Sequence, residues 1–277
     1  MAVAADPDIQ HTTEEELAQQ ARREELGRKW SWRILGYIFF LGAWEFGSGR
    51  ILEEALLPGP TRIVRTFGEL WASGKMLDAF QATTFRIAIG FGLSFIIGLF
   101  IGLISQNRWW ENFFRDATLI SLTAPGLIWA LITAIIFGNR IAGPIITIVL
   151  ATFALVSVNV YEGVKSLPKD LVDMGKAFRV DVVGRNRHIV LPHLAPYLFT
   201  AVRFGFSIAW KVTVLTEIFS SGRGIGFEMR TSSQLFRMDE FLTWILAFFL
   251  FALFLEKVVL QAFEDRYFRW RQGVAAT

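Results

Sequence analysis

The run Ile87–Asn107, IAIGFGLSFIIGLFIGLISQN, proceeds for some twenty residues without an Asp, Glu, Lys or Arg. At about 1.5 Å of rise per residue, a helix of that length matches the roughly 30 Å hydrocarbon core of a bilayer. Two further charge-free runs, Ala117–Asn139 and Ile141–Tyr161, are equally long. A fourth apolar region, Ala195–Phe219, is interrupted only by Arg203, Lys211 and Glu217, and a fifth, Phe241–Leu255, lies between Glu240 and Glu256. A weaker one, Ser31–Gly47, ends beside Glu45. This distribution predicts an all-α polytopic membrane helix bundle of about six transmembrane helices.

Composition agrees and narrows the function classes. The chain of 277 residues is 53% hydrophobic and 19% charged, with 27 Phe, 10 Trp and a mean hydropathy of +0.42, against 45–50% apolar and about 25% charged for a soluble domain. An ordinary soluble enzyme is excluded. With no cysteine, disulfides, thiolate metal sites and thiol catalysis are excluded as well. The histidines, His11, His188 and His193, do not form H-E-x-x-H, and there is no G-x-S-x-G elbow and no G-x-x-x-x-G-K-[ST] phosphate loop. The chain is therefore expected to be no enzyme, to bind no metal or cofactor, and to hold no ATP by that route. The acidic pairs Asp239–Glu240 and Glu264–Asp265 read as solvated caps at span ends.

Residues 1–30 form a polar tail. Its early acidic run does not fit a basic n-region followed by an apolar h-region, so no cleavable signal peptide is expected. Thr12 and Thr13 each precede a Glu by three residues, and Glu14–Arg28 is rich in helix formers, which predicts a short surface helix. Placing this tail inside puts sixteen basic residues on the inner segments and eight on the outer ones. The positive-inside rule then predicts both termini in the cytoplasm. Trp30, Trp32, Trp109, Trp110 and Trp270, near span boundaries, fit an interfacial belt. The net charge of +3 accordingly reflects topology and implies no nucleic-acid partner.

Other patterns concern packing. After the chain break Leu57-Pro58-Gly59-Pro60, the residues Ile63, Val64, Phe67, Leu70 and Trp71 recur at helical spacing. That is a surface helix on the outer side, packed on span ends or docking an external partner. Gly90, Ser94, Gly98 and Gly102 form a small-residue stripe that permits close helix packing. Pro125 and Pro144 mark kinks, span ends or a gate. Gly222-Arg223-Gly224-Ile225-Gly226 reads as a tight outer turn.

The charges within the fifth apolar region are the candidates for substrate chemistry, because ionisable groups at membrane depth usually face a wet cavity or the bundle interior. Lys211 falls near mid-span, about 12 Å along the helix from Arg203. It can attract an anion, pair with Glu217 or snorkel. Arg203 and Glu217 fall near one helical face and suit a structural, gating or substrate-contacting role, and Trp210 supplies a cavity wall or core packing.

The inner loop 164–194 is too polar to cross the membrane. Leu171, Met174, Ala177 and Phe178 share one helical face, and Val182, Val183, Ile189, Val190 and Leu191 form a second apolar set, which predicts two short helices across the cytoplasmic mouth. An exposed apolar face in a basic surround calls for bundle contact or a soluble partner. The run Leu171-Val172-Asp173-Met174-Gly175-Lys176-Ala177-Phe178, followed by Arg187-His188-Ile189-Val190-Leu191-Pro192, resembles the EAA loop of ABC-type importer permeases. Leu57–Pro60, Gly163–Leu167, Leu198–Arg203, Ala209-Trp210, Glu217-Ile218-Phe219 and Gly222–Gly226 resemble the nitrate, taurine/sulfonate and bicarbonate branch of that family.

The resemblance implies a transmembrane permease domain at 31–277, with a core at 80–265. It implies that Asp173, Met174, Gly175, Lys176, Ala177, Phe178 and Arg179 engage a separate cytoplasmic ATPase, which binds ATP and Mg. It further implies a second permease copy in a homodimer, an extracytoplasmic solute-binding protein, membrane lipid around the bundle, a multi-pass location in a bacterial inner membrane, and import of a small anion of the nitrate, sulfonate, bicarbonate or aromatic carboxylate class. Arg179 stands where the family usually has glycine, so any sharp turn there must form differently or be displaced, with Gly184 as a source of flexibility. The alternative is a channel or secondary transporter that needs no ATPase.

Overall fold

The computed structural model describes residue 28, residues 30–51 and residues 53–260, with side chains to 258. The expectations for the tail upstream of residue 28, for Trp270 and for Glu264–Asp265 lie outside the described residues. Within them, the chain divides into two compact units, one ending at Arg65 and one beginning at Thr66.

In the first unit, helix α1 covers 30–47, the weakest of the six apolar regions. The Glu45 carboxylate accepts hydrogen bonds from the Thr61 N–H (3.1 Å) and hydroxyl (2.6 Å). Thr61 is the second residue of helix α2 (Pro60–Ala72), so this anion sits at the positive end of that helix. Proline at the first helical position, after Pro58-Gly59, gives α2 a sharp start. The expected apolar stripe of α2, which runs on into the second unit, splits in two: Ile63 and Leu70 are buried and Phe67 partly so, whereas Val64 and Trp71 stay exposed.

The second unit contains the long helices. Helix α3 (Lys75–Ile104) starts twelve residues ahead of the charge-free run and so draws Arg86 into the helix. Helices α4 (Arg108–Thr123) and α5 (Gly126–Phe137) divide the run Ala117–Asn139. They meet at 101° across Ala124-Pro125. The bend falls where Pro125 is expected to mark a kink or span end, and its cause is that proline disfavours helical geometry at the residue before it. Helix α6 (Ala142–Lys165) carries Pro144 in its first turn, where a missing N–H costs nothing.

After the short helix α7 (Lys169–Ala177), helix α8 (Val182–Arg185) runs through a π-helical turn (Asn186–Val190) into α9 (Leu191–Ser220). The expectation of two short helices across the mouth is thus half right. The second apolar set begins a continuous 39-residue helix, Val182–Ser220, that becomes the next span. The π turn, in which the Leu191 N–H reaches the Asn186 carbonyl, precedes Pro192, whose ring a regular helix would force against the His188 carbonyl. Helices α10 (Ile225–Gln234) and α11 (Met238–Phe254) complete the unit. Among the described residues, α3, α6, Val182–Ser220 and Met238–Val258 are long and apolar enough to cross a membrane, and the bent pair α4–α5 makes a fifth span if counted as one.

The small-residue stripe packs α3 against α6. A Cβ on Gly98 would lie 2.5 Å from the Phe153 carbonyl and 2.6 Å from Val156 Cβ, and one on Gly102 would lie 2.6 Å from the Ser157 carbonyl. One turn before Gly98 in the stripe, the Ser94 and Thr152 hydroxyls bond at 2.7 Å, both fully buried. Backbones can approach this closely only where side chains are absent or short.

Candidate functional site

The expected substrate-path residues separate into two places. Arg203, Trp210 and Lys211 line a cavity of about 320 Å³ between α9 and α11, together with Ser207, Phe248 and Glu256. The Arg203 guanidinium donates to the Glu256 carboxylate from Nη2 (3.0 Å) and Nε (3.2 Å). Trp210 is buried, stacked on Phe248 with ring centroids 5.5 Å apart and planes within 4°, and it touches Phe251 at 4.8 Å. It thus serves as cavity wall and core at once. Lys211 is exposed and has no ion pair or hydrogen bond among the described residues. The cavity therefore offers an ammonium group beside aromatic walls.

Glu217 is elsewhere, fully buried. Lys211 does not pair with it. Its carboxylate accepts from the Arg86 guanidinium of α3 and from the Thr83 hydroxyl, at 3.0 and 2.9 Å to its two oxygens. The Gly226 N–H donates to it at 3.1 Å, and the Thr83 hydroxyl in turn accepts from the Ile225 N–H at 3.0 Å. Arg86 also donates to the Arg223 carbonyl at 2.6 Å, and the Arg223 side chain pairs with Asp78. The turn Gly222–Gly226 is thereby stitched to α3 and α9. Gly224, at φ 113°, and Gly226 are required here, because a Cβ on either would collide with Glu217. Glycine content read as a plain tight turn is in fact the cradle of a buried carboxylate.

The sequence reading did not identify Arg86. Counting uncharged runs treats any Arg as a boundary, which leaves the residue just before Ile87 outside the span. The available signal was that Glu217, the only acid in helix α9, needs a cation, from that helix or another.

The loop residues occupy α7 and its C-terminal turn. Leu171, Met174 and Phe178 are exposed apolar side chains, Phe178 at 79%, while Gly175 is buried with the Arg185 and Ile189 side chains about 3.1 Å from where its Cβ would be. Asp173 accepts from Lys176 at 2.9 Å, and this hydrogen bond, with the ammonium charge, holds the Asp173 carboxyl below the usual carboxylate range. Lys176, Ala177 and Arg179 are exposed as well. Arg179 itself adopts the left-handed conformation, at φ 52°. The Arg179 N–H bonds to the Lys176 carbonyl and the Val180 N–H to the Gly175 carbonyl, each at 2.9 Å, which is a Schellman ending with arginine in the position glycine prefers. The turn is neither displaced nor formed at Gly184, which lies within helix α8.

Known proteins bear on what this arrangement is for. Residues 94–269 match the family described as "Binding-protein-dependent transport system inner membrane component". The putative aliphatic sulfonates transport permease protein SsuC of Bacillus subtilis is 25% identical over 259 residues, covering 92% of this chain and 94% of the relative. The protein of the same description from Escherichia coli is 26% identical over 250 residues, 88% and 94% of the two chains. The bicarbonate transport system permease protein CmpB of Synechococcus elongatus is 27% identical over 208 residues, 70% and 74% of the two chains. Among solved structures, a chain of the inward-facing MetNI methionine ABC transporter matches 68% of this chain and 94% of its own length, at 14% identity and a TM-score of 0.49. With more than half its length in the matched region, and with the loop and the apolar helices in place around it, this chain belongs to the family of inner membrane components of binding-protein-dependent transport systems, the permeases of ABC transporters.

Proposed function

We propose that this permease imports a small anion, with Lys211 as the cation the solute meets between α9 and α11. The reading is supported by one observation above the rest, an exposed ammonium group lining an apolar cavity at membrane depth with no partner among the described residues. A charge left so is costly unless the site is wet or visited by a counter-ion. The relatives, named for sulfonates and bicarbonate, handle anions of the same sign.

In this proposal two copies of the chain form the path, and both termini lie in the cytoplasm. A separate cytoplasmic ATPase, which carries ATP and Mg, docks on the apolar face of Met174 and Phe178, flanked by Asp173, Lys176 and Arg179. ATP binding draws the two α7 helices together, and the pull passes along the continuous helix Val182–Ser220, which carries Arg203, Trp210 and Lys211. An extracytoplasmic binding protein delivers the solute from the other side.

The test is uptake into proteoliposomes containing the permease, its ATPase and its binding protein. Lys211→Ala is expected to abolish uptake of the anion retained by the binding protein while leaving ATPase association intact, and Lys211→Arg to restore part of it. Unchanged uptake by Lys211→Ala would remove this residue from the path. Met174→Glu with Phe178→Glu is expected to break the association itself.

A further inference from the structure

A second cavity of about 320 Å³ lies on the other side of α6, between α4 and α6. The functional reading above makes no use of it. Its lining is graded. At the end near the loop 164–194 stand Glu111, Arg115 and Tyr161, with Ser157 and Val158 about one turn from Tyr161, and beyond Thr118 toward the other end stand Leu119 and Leu122. From Glu111 to Leu122 the rise along α4 is about 16 Å, which is half of a roughly 30 Å hydrocarbon core. The groove therefore runs from one membrane interface to about the midplane. Exposed Trp109 and Trp110 flank its polar end, Trp110 stacked on Phe114 at 6.0 Å, as expected of side chains at headgroup level.

The charges at that end are arranged unusually. Glu111 and Arg115 are one helical turn apart, a spacing that favours an ion pair, yet they form none. Glu111 accepts from the Tyr161 hydroxyl (3.0 Å), whose oxygen accepts from Lys165 (3.3 Å), and Arg115 has no ion pair or hydrogen bond among the described residues. The groove thus presents a guanidinium for a phosphate diester and, one turn away, a carboxylate that repels a purely anionic headgroup and attracts an ammonium.

We propose that this groove binds a glycerophospholipid with a primary-ammonium headgroup. Its phosphate lies on Arg115, its ammonium faces Glu111, and one acyl chain lies along Leu119 and Leu122. The length of the apolar wall separates this from a site for free phosphate, which would use the polar end alone. The bound lipid fills the gap between α4 and α6, on the side where α6 enters the loop 164–194.

The experiment is native mass spectrometry of the full-length protein, released from nanodiscs of equal parts phosphatidylethanolamine and phosphatidylglycerol. Retained phosphatidylethanolamine is expected in excess. Arg115→Ala should lower total retained lipid by about ten-fold, as expected for loss of one charge-assisted bond. Glu111→Gln should retain lipid but abolish the preference between headgroups, and Arg140→Ala, on a residue outside the groove, should change neither. Added inorganic phosphate at millimolar levels should displace nothing. Equal retention of both lipids by the unmodified protein, or undiminished retention by Arg115→Ala with an unchanged melting curve, would overturn the proposal. If Arg115→Ala fails to fold, Arg115→Gln, which keeps the side-chain length, is read in its place.

Discussion

Helix α9 carries two charged positions less than two turns apart that have opposite fates. Glu217 has no exposed surface, and its partner Arg86 has 8%. Its carboxylate accepts from Arg86, Thr83 and the Gly226 N–H, all of them inside the protein. Lys211, six residues earlier, is open and uncommitted, and nearby Arg203 and Glu256 form a pair that is 33% and 40% exposed. The difference teaches that charge at membrane depth is not by itself a mark of function. A fully partnered buried charge holds helices together, whereas an unpartnered one beside a cavity is available to a ligand.

This contrast can be broken by substitution, with thermal unfolding in a constant detergent as the measure. Glu217→Ala, which strands Arg86 in the interior, should cost the most, about 3–5 kcal/mol. Replacing both partners by apolar residues should recover much of the loss. Gly226→Ala should cost about 1–3 kcal/mol, because its Cβ meets both the Val214 carbonyl and the Glu217 side chain. Arg179→Gly should move the other way, gaining up to about 1 kcal/mol by relieving left-handed strain in the loop. Arg203→Ala, at a pair that is 33% and 40% exposed, should change stability by no more than about 1 kcal/mol. Lys211→Ala should leave it within about 0.5 kcal/mol while abolishing uptake. A large destabilisation by Lys211→Ala, or a near-neutral Glu217→Ala, would reverse the roles assigned to the two positions.

Much of this was legible in the chain. The apolar runs became helices because length and hydrophobicity are local properties, and the stripe Gly90, Ser94, Gly98 and Gly102 met Ile148, Thr152, Val156 and Val160 because both recur at the same helical spacing. The break at Pro125 was readable for the same reason. The glycine turn around Glu217 was not readable as a cradle, since Thr83 and Arg86 lie more than 130 residues from it in sequence. Arg179 in a left-handed turn was missed because the turn is formed by the two backbone hydrogen bonds that close α7, which outweigh the residue's own preference.

The sequence by itself determined that the chain is a bundle of membrane-length helices joined by shorter amphipathic ones, because periodicity, charge spacing and proline act within a few residues. Only the tertiary structure decided which charges are partnered. Whether Lys211 faces Glu217 or a cavity, and whether Arg86 ends a span or neutralises an acid inside it, depends on how distant helices are brought side by side, and the cost of an unpaired charge in a low-dielectric interior is set by that arrangement.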